Sequence, residues 1–338
     1  MARLSRILTA ILCLSGLAGR ADAGQRLEVI RDRGVVTCGI LPEVAGFAKE
    51  DANGEFRGMD VDVCRAVAAA VLGDPARVKY VTASEVTQFR NSNEIDLVAR
   101  RITWSLTRAL GNGMMFGPIT FYDGQGFLVP RAAGITDPKQ LAGKRVCVQS
   151  QEAHVMTLTS YFRANKLSVV PIAFDDNERA AQALKDQKCA AYSADVSLLG
   201  AARASLDEGP ANFDILPEMI SREPLAPLVR QGDDQFFEIV RWSIFAMIAA
   251  EEYGISSRNI DAAAARGDIE IHQFLGLVPG NGAALGLDEK WAYNIIKTVG
   301  NYGEVYDRNL GRDSPIKLDR GANKLWTEGG LMYAPRLR

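Results

Sequence analysis

The sequence contains few metal ligands and no familiar catalytic motif. It has two histidines, His154 and His272, and no two of its five cysteines show the CxxC spacing of zinc sites. The histidines lie in different regions, and neither a Gly-x-Ser-x-Gly elbow nor a phosphate-binding glycine loop occurs. We therefore expect no metal, no cofactor and no catalytic residues.

Long apolar runs are also scarce. The run at residues 7–19 is shorter than the roughly 20 apolar residues that a membrane-spanning helix needs. Two arginines precede it, and Ala21 and Ala23 follow it as the small residues that a signal peptidase reads. The pattern predicts a signal peptide over residues 1–23, cleavage after Ala23, and export without membrane insertion.

The charge is balanced. The whole chain has a net charge of −2, and the predicted cleavage removes three Arg and one Asp, which brings the mature chain to −4. A nucleic-acid-binding surface normally needs an excess of Lys and Arg to neutralise phosphates. We therefore expect no nucleic-acid partner.

Four cysteines remain after the predicted cleavage: Cys38, Cys64, Cys147 and Cys189. An even number of cysteines in an oxidising compartment favours two disulfides. Four cysteines allow three pairings, and the spacing alone does not choose among them.

Local signals predict alternating strands and helices. Asn53-Gly54, flanked by β-capable residues, predicts a hairpin, and an alanine-rich run that stops at Gly73 predicts a helix end. Asp60 and Asp62 are expected to cap this helix. Such alternation is typical of an α/β fold with mostly parallel sheets.

The alternation is divided into two units. Extended crossings near residues 127–130 and 224–230 are expected to join one unit to the other and back, and the chain after them is mostly helical. A protein of two hinged lobes has a cleft between them, where ligands are favoured.

Several segments match a known family over nearly the whole mature chain. They are DANG at 51–54 with GMDVD at 58–62, DGQGF at 123–127, VRQGDDQFFEIVRW at 229–242, and WAYNIIKTVGNYGEVYDRNLG at 291–311 with LWTEGGLMYAPRLR at 325–338. On these segments the chain resembles the general L-amino-acid-binding proteins of bacterial ABC importers, which are type II periplasmic binding proteins.

The resemblance implies a fold and a function. The fold is α/β with two lobes, whose two mixed, mostly parallel sheets are joined by two hinge crossings, with a helical C-terminal extension. Lobe 1 comprises residues 24–128 and 230–338, and lobe 2 comprises residues 129–229. The implied function is capture of a small zwitterionic or cationic metabolite by a monomer that delivers it to an inner-membrane ABC permease.

The resemblance also favours one disulfide pairing, Cys38 with Cys64 and Cys147 with Cys189, so that each lobe has one bridge. This choice is implied by the family alone.

An amino-acid receptor must satisfy a carboxylate and an ammonium group that have lost their water. In the family, a T-x-T-x-x-R segment binds the carboxylate, and Thr103, Ser105 and Arg108 stand at these positions. An Asp at the end of a second-lobe strand binds the ammonium group, and Asp195 falls there. Two plainer interpretations stay open: Arg108 as one of many solvated arginines, and Asp195 as a helix cap.

A turn between a strand and a helix completes the predicted site. Ser150, Glu152 and Ala153 lie on it, where free N–H groups at a helix start can hold an anion. The family has Gly-Thr-Thr where this chain has Gln151-Glu152-Ala153. A glutamate 4 Å from a ligand carboxylate would repel it by about 4 kcal/mol, so Glu152 either points away or meets a cationic part of the ligand.

Other ligand-side positions also depart from the family. Leu41 to Val44 replace a smaller polar wall, and Arg101-Ile102 replaces Asn-Thr just before Thr103. These departures support an alternative function, an exported accessory or sensor-partner protein with lost or altered amino-acid binding. A third hypothesis is an enzyme that uses Glu152 as an acid or base, which rests on one carboxylate.

Overall fold

The computed structural model describes residues 25–42, 44–83, 89, 92–111, 113–150, 152–207, 209–266 and 268–337. The predicted signal peptide lies outside these ranges. No helix within them is both long and apolar enough to cross a membrane.

The first sheet combines strands from both ends of the chain. Its strands are β1 (Val36–Ile40), β4 (Val78–Thr82), β5 (Leu97–Val98), β6 (Met114–Phe116) and β14 (Leu228–Arg230), in the order β4-β1-β5-β14-β6. β1 is parallel to β4 and β5, whereas β14 is antiparallel to β5 and β6. Every residue of β1 is buried, as in a strand covered on both faces.

Among the described residues, the chain that forms the first sheet also forms three helices: α1 (Gln25–Arg33), α2 (Met59–Leu72) and α3 (Leu106–Gly111). The predicted hairpin is confirmed, because β2 (Lys49–Glu50) pairs antiparallel with β3 (Phe56–Arg57) across Asn53-Gly54. The predicted end of α2 is confirmed as well, because Gly73 has the left-handed φ of 70° and its N–H closes the last turn.

The start of α2 corrects one prediction. The helix begins after Gly58, and neither Asp60 nor Asp62 caps it with its side chain. Gly58 has a φ of 136°, and a β-carbon there would lie 2.1 Å from the carbonyl oxygen of Phe47. Asp62 instead accepts hydrogen bonds from side chains of the last helix, and Asp60 is buried beneath the candidate site described below.

The second sheet is built from the middle of the chain. Its strands are β8 (Gln125–Pro130), β9 (Arg145–Gln149), β10 (Val170–Phe174), β11 (Ala191–Asp195) and β12 (Phe213–Ile215), in the order β10-β9-β11-β8-β12. β9 is parallel to β10 and β11, and β8 is antiparallel to β11 and β12. Both sheets are therefore mixed, as predicted.

In the described part of the middle segment, four α-helices and two short 3-10 helices accompany the second sheet. The 3-10 helices are Arg131–Ala133 and Pro138–Leu141, and the α-helices are α4 (Glu152–Ala164), α5 (Asn177–Lys185), α6 (Val196–Ser205) and α7 (Gly209–Asn212). α4 follows β9 and α6 follows β11, and these two strands are parallel neighbours. The starts of α4 and α6 therefore lie at the same edge of the sheet.

A two-stranded ribbon runs between the sheets. β7 (Phe121–Asp123) pairs antiparallel with β13 (Glu223–Leu225), and Asp123 lies opposite Glu223. The lobe boundaries predicted at 128/129 and 229/230 fall inside β8 and β14. β8 pairs within the second sheet, and β14 pairs within the first sheet.

The chain after the first sheet is helical, as the resemblance implied. It forms α8 (Asp234–Glu252), α9 (Ile260–Ala264), α10 (Ile269–Phe274), α11 (Asn281–Leu285), α12 (Trp291–Thr298) and α13 (Tyr302–Asn309), and then two 3-10 helices, Gly321–Asn323 and Trp326–Glu328.

This C-terminal part holds the ribbon in place. The Asn323 side chain accepts from the Tyr122 N–H at 2.7 Å and donates to the Tyr122 carbonyl at 3.1 Å. The Tyr302 hydroxyl donates to the Thr120 carbonyl at 2.9 Å. The ribbon backbone is therefore satisfied by groups from the end of the chain.

Both disulfides implied by the resemblance are confirmed. Cys38 of β1 is bonded to Cys64 of α2, and Cys147 of β9 is bonded to Cys189 just before β11. Each bridge stays within one sheet and its adjoining elements, so neither crosses the ribbon.

Candidate ligand-binding cleft

The segment before α3 brings three predicted site residues together. Thr103 forms an isolated β-bridge with Leu225 of the ribbon, and α3 begins three residues later. The Arg108 side chain is exposed, and its Nη1 donates to the Thr103 carbonyl at 3.2 Å. The Arg108 N–H is 3.4 Å from the Ser105 Oγ. We call Thr103, Ser105 and Arg108 the arginine arm.

Asp195 lies at the end of β11, in the second sheet. It stands at the N-cap position of α6, but its side chain makes no cap hydrogen bond. The Asp195 Oδ1 is instead 3.1 Å from the His154 Nε2, and the Asp195 Oδ2 is 3.6 Å from the Arg101 Nη2. The helix-cap interpretation therefore does not describe what this carboxylate contacts.

Arg101 is the residue that sequence reasoning missed as part of the site. It follows β5 of the first sheet, yet its Nη2 donates to the Ser197 Oγ of α6 at 2.8 Å and lies 3.9 Å from Asp123. Its guanidinium carbon is 5.3 Å from the centre of the Phe47 ring, a cation–π distance. The one signal was the replacement of an expected Asn by Arg.

The backbone of Arg101 is unusual as well. Its φ of 56° lies in the left-handed region, which non-glycine residues adopt rarely. The Arg101 N–H donates a hydrogen bond to the Asp60 carboxylate. The positive charge of the Arg101 guanidinium also attracts this carboxylate. The conformation is thus held at both the backbone and the side chain. We call Arg101, Asp60, Asp123, His154, Asp195 and Ser197 the buried cluster.

Asp123 anchors the buried cluster. It is fully buried and accepts hydrogen bonds from the Gly124 N–H at 2.9 Å, the Ser197 N–H at 3.1 Å and the Ser197 hydroxyl at 2.5 Å. Burial, together with the negative charge of Asp195, raises the pKa of Asp123 to about 6, although Arg101 opposes this rise.

The other two carboxylates have pKa values shifted in opposite directions. Burial raises the pKa of Asp60 to about 7, against the attraction of Arg101. Burial alone would also raise the pKa of Asp195, but the hydrogen bond with His154 and the charge of Arg101 outweigh it, so this pKa is lowered. Asp195 is therefore the carboxylate of the cluster that stays ionised most readily.

Three polar atoms at this edge have no hydrogen-bond partner among the described residues: Arg101 Nε, Gln149 Oε1 and His154 Nδ1. All three are buried. An unpaired buried polar atom costs about 1–3 kcal/mol, so such atoms usually meet water or a ligand. Their position beside Asp195 and at the end of β9 indicates where a polar ligand would be satisfied.

The predicted strand-to-helix turn reaches the same edge. Ala153 lies in the first turn of α4, next to His154, which contacts Asp195. The Ser150 N–H is already used, because it donates to the Phe174 carbonyl at 2.8 Å. The side chain of Glu152 and all of Gln151 lie outside the described part of the chain.

A groove of about 550 Å³ lies beside the buried cluster. It is lined by the wall residues Val44, Ala45 and Gly46 on one side and by Leu198 and Ala201 of α6 on the other. Neither Arg108 nor Asp195 lines it. Leu198 follows Ser197 of the buried cluster along α6, so the groove adjoins the cluster through this helix, whereas Arg108 of the arginine arm is exposed.

The described residues contain no group of three or more His, Cys, Asp or Glu side chains arranged to hold a metal ion. Within the described part of the chain, the site combines the exposed guanidinium of Arg108, the carboxylate of Asp195 and three buried polar atoms without a partner.

Comparison with known families decides the class of protein. The model of the bacterial extracellular solute-binding proteins, family 3, matches residues 36–259, which is well over half of the chain. The chain belongs to this family.

Relatives within this solute-binding family cover the whole chain. YhdW of Escherichia coli K12 is 46% identical over 334 residues, which are 98% of both chains. The general L-amino acid-binding periplasmic protein AapJ of Rhizobium johnstonii is 42% identical over 340 residues, which are 99% of both chains.

A solved structure supports the fold. The periplasmic binding protein of an ABC transporter from Brucella ovis, with glutathione bound, is 39% identical and superposes with a TM-score of 0.82. The match covers 92% of this solute-binding protein and 99% of the Brucella chain. The fold is therefore the two-lobe type II fold that the resemblance implied.

Proposed function

We propose that this solute-binding protein is the periplasmic receptor of an amino-acid ABC importer and captures a small zwitterionic or cationic ligand between its sheets. The observation that carries the proposal is that the arginine arm follows a strand of the first sheet, whereas Asp195 ends a strand of the second sheet. An exposed guanidinium on the first-sheet side and an ionised carboxylate on the second-sheet side complement the two charges of an amino acid. The name of AapJ supports the same ligand class.

The roles follow from the geometry. Arg108 binds the ligand carboxylate, and its contact with the Thr103 carbonyl helps to fix the guanidinium. Ser105 and the N–H groups at the start of α4, including that of Ala153, add donors. Ser150 contributes its side chain, because its N–H is already paired. Asp195 binds the ammonium group, and we assign Glu152 to a basic ligand side chain.

The proposal also covers the hinge between the lobes, the cleavage of the signal peptide and delivery of the ligand. The two lobes are built around the two sheets and hinge at the β7–β13 ribbon, so the predicted boundaries move to residues 121–123 and 223–225. The signal peptide is cleaved after Ala23, and the mature monomer binds its ligand without converting it and delivers it to a permease. N-terminal sequencing of the exported chain tests the cleavage site and should begin at Gly24.

A ligand screen tests the function. Mature protein, residues 24–338, is heated with each of the protein amino acids and with glutathione, and hits are measured by calorimetric titration. We expect at least one amino acid to raise the melting temperature, because a ligand that binds only the folded state stabilises it. Arg108→Ala should abolish that shift.

The control for this screen is Arg131→Ala. Arg131 is exposed and pairs with Asp214 at 2.7 Å, away from the arginine arm. It should keep the ligand response. If no amino acid shifted the melting temperature of the wild type, the proposed receptor function would be wrong.

One observation favours the accessory alternative. Arg101 and His154 already contact Asp195, so the ammonium position is engaged by the protein itself. An accessory protein should keep its cellular role in the Arg108→Ala variant, whereas a receptor should lose transport.

A further inference from the structure

We propose that Arg101 is a tethered competitor of the ligand: its guanidinium holds Asp195 across the cleft in the unbound protein and must be displaced by the ligand's ammonium group. Arg101 thereby sets both the affinity and the preference for ligands with a free amino group. The inference rests on the proposed receptor function for the competition, whereas the bridge across the cleft stands on geometry alone.

First, the Arg101 side chain reaches from the first-sheet side to the second-sheet side. Arg101 follows β5 of the first sheet, and its guanidinium contacts one group each of the ribbon, of β11 and of α6. Nη2 donates to the Ser197 Oγ at 2.8 Å and lies 3.6 Å from Asp195 and 3.9 Å from Asp123. One side chain of the first-sheet side therefore joins the ribbon to the second-sheet side.

The second step is the environment of the bridge. The side chains of Arg101 and Asp195 are 13% and 20% exposed, so their attraction is screened much less than that of a surface pair. Breaking it without a replacement would leave buried charges unpaired, which is strongly unfavourable. A ligand ammonium group supplies such a replacement for Asp195, and Asp123 and Ser197 remain to hold the displaced guanidinium.

The third step is the incomplete satisfaction of the guanidinium. Arg101 Nε has no partner among the described residues, and neither has Nδ1 of His154, the other side chain on Asp195. A ligand that entered here would find one unused donor and one unused ring nitrogen. The bridge is therefore compatible with exchange for a ligand, unlike a fully paired structural ion pair.

Arg101→Asn tests the inference, because Asn is the residue expected at this position and is too short to reach Asp195. Arg101→Lys keeps a cation, and Arg131→Asn removes an arginine from an exposed pair elsewhere. Circular dichroism of all three variants shows whether they remain folded.

Small-angle scattering of the unbound proteins tests the bridge. Arg101→Asn should open the lobes and increase the radius of gyration by on the order of 1 Å, whereas Arg101→Lys and Arg131→Asn should match the wild type. An unchanged radius in Arg101→Asn would overturn the bridge.

Calorimetric titration with L-glutamine and N-acetyl-L-glutamine tests the competition. Arg101→Asn should bind L-glutamine at least about 10-fold more tightly than the wild type does, because Asp195 is no longer engaged. The acetylated compound has no ammonium group, so its affinity should change less than about threefold. Equal or weaker binding of L-glutamine by Arg101→Asn would overturn the competition.

The two measurements separate the two failures. If neither protein binds L-glutamine or any other member of the amino-acid screen, but Arg101→Asn still opens, the receptor function fails and the bridge stands. If the wild type binds amino acids and Arg101→Asn neither opens nor gains affinity, the inference fails and the receptor function stands.

Discussion

The arginine arm and the buried cluster lie close together in sequence but differ in what their charges contact. Arg108 is exposed. Among the described residues, its guanidinium donates to the Thr103 carbonyl, and its backbone N–H lies 3.4 Å from the Ser105 hydroxyl oxygen. Arg101 is largely buried, with a hydroxyl, an aromatic ring and two carboxylates around its guanidinium. One arginine is available to a ligand, and the other is already bound by the protein.

The difference shows how one arginine of a receptor can provide affinity while another sets the preference among ligands. A solvent-exposed guanidinium loses little when it exchanges water for a ligand carboxylate. At the buried site, Asp195 would exchange the Arg101 guanidinium for the ligand ammonium group, so the net gain depends on how well the ammonium group replaces the guanidinium. We therefore expect the two arginines, both on the first-sheet side, to change ligand affinity in opposite directions.

The largest effect on stability is expected at the anchor of the buried cluster. Asp123→Ala removes the acceptor for the Gly124 and Ser197 N–H groups and for the Ser197 hydroxyl. We expect a loss of about 3 kcal/mol in the free energy of unfolding, because these donors stay buried without a partner. Urea denaturation measures it, and a loss below about 0.5 kcal/mol would contradict the assigned role.

Arg108→Ala should affect binding and leave stability unchanged. Loss of a charge-assisted pair with the ligand carboxylate should weaken L-glutamine binding by about 30-fold, or about 2 kcal/mol. The free energy of unfolding should stay within about 0.5 kcal/mol of the wild type, because Arg108 is exposed. Calorimetry and urea denaturation of the same preparation check both numbers, and a large stability loss would show that the arm is structural.

The pH dependence of stability should distinguish the two regions. The folded state raises the pKa of Asp60 from 3.8 to about 7, so between these values it binds a proton that the unfolded state lacks. The contribution of protonated Asp60 to the free energy of unfolding is fully present below about pH 4. It is lost as the pH rises through about 7.

Asp60→Asn tests this dependence. Between pH 5 and 7 the wild type should lose about 1 kcal/mol more stability per pH unit than the variant does. Arg108→Ala should follow the wild-type profile, because it lies outside the cluster. Parallel profiles for Asp60→Asn and the wild type would show that burial of Asp60 does not govern the slope.

The smallest effect is expected for Ser105→Ala. The Ser105 Oγ is 3.4 Å from the Arg108 N–H and 3.3 Å from the Thr107 hydroxyl, in an exposed segment. Its removal should weaken L-glutamine binding by about threefold or less, or under about 0.7 kcal/mol. A tenfold loss in titration would make Ser105 a direct ligand contact.

Much of the fold could be predicted from the sequence, because its signals are local. The Asn53-Gly54 hairpin and the Gly73 helix end follow from turn chemistry, and both are observed. The disulfide pairing needed the family resemblance, because spacing left three choices. The crossings near 127–130 and 224–230 stay predictions. Both ranges contain sheet strands whose pairing partners are distant in sequence, and local patterns do not show such pairing.

The site was less predictable for a physical reason. Arg108 and Asp195 stand in recognisable motifs, but the contact between Arg101 and Asp195 joins residues from opposite sides of the ribbon. No local pattern encodes it, and only the replaced Asn pointed to the position. The same holds for Asp60, which has the sequence context of a helix cap but is buried under Arg101.

Titration of L-glutamine into the wild type, Arg108→Ala and Arg101→Asn tests the central claim most directly. The account predicts opposite signs: weaker binding for Arg108→Ala, by about 30-fold, and tighter binding for Arg101→Asn, by about 10-fold or more. A change in the same direction for both variants would contradict it, because the two arginines would then act alike on the ligand.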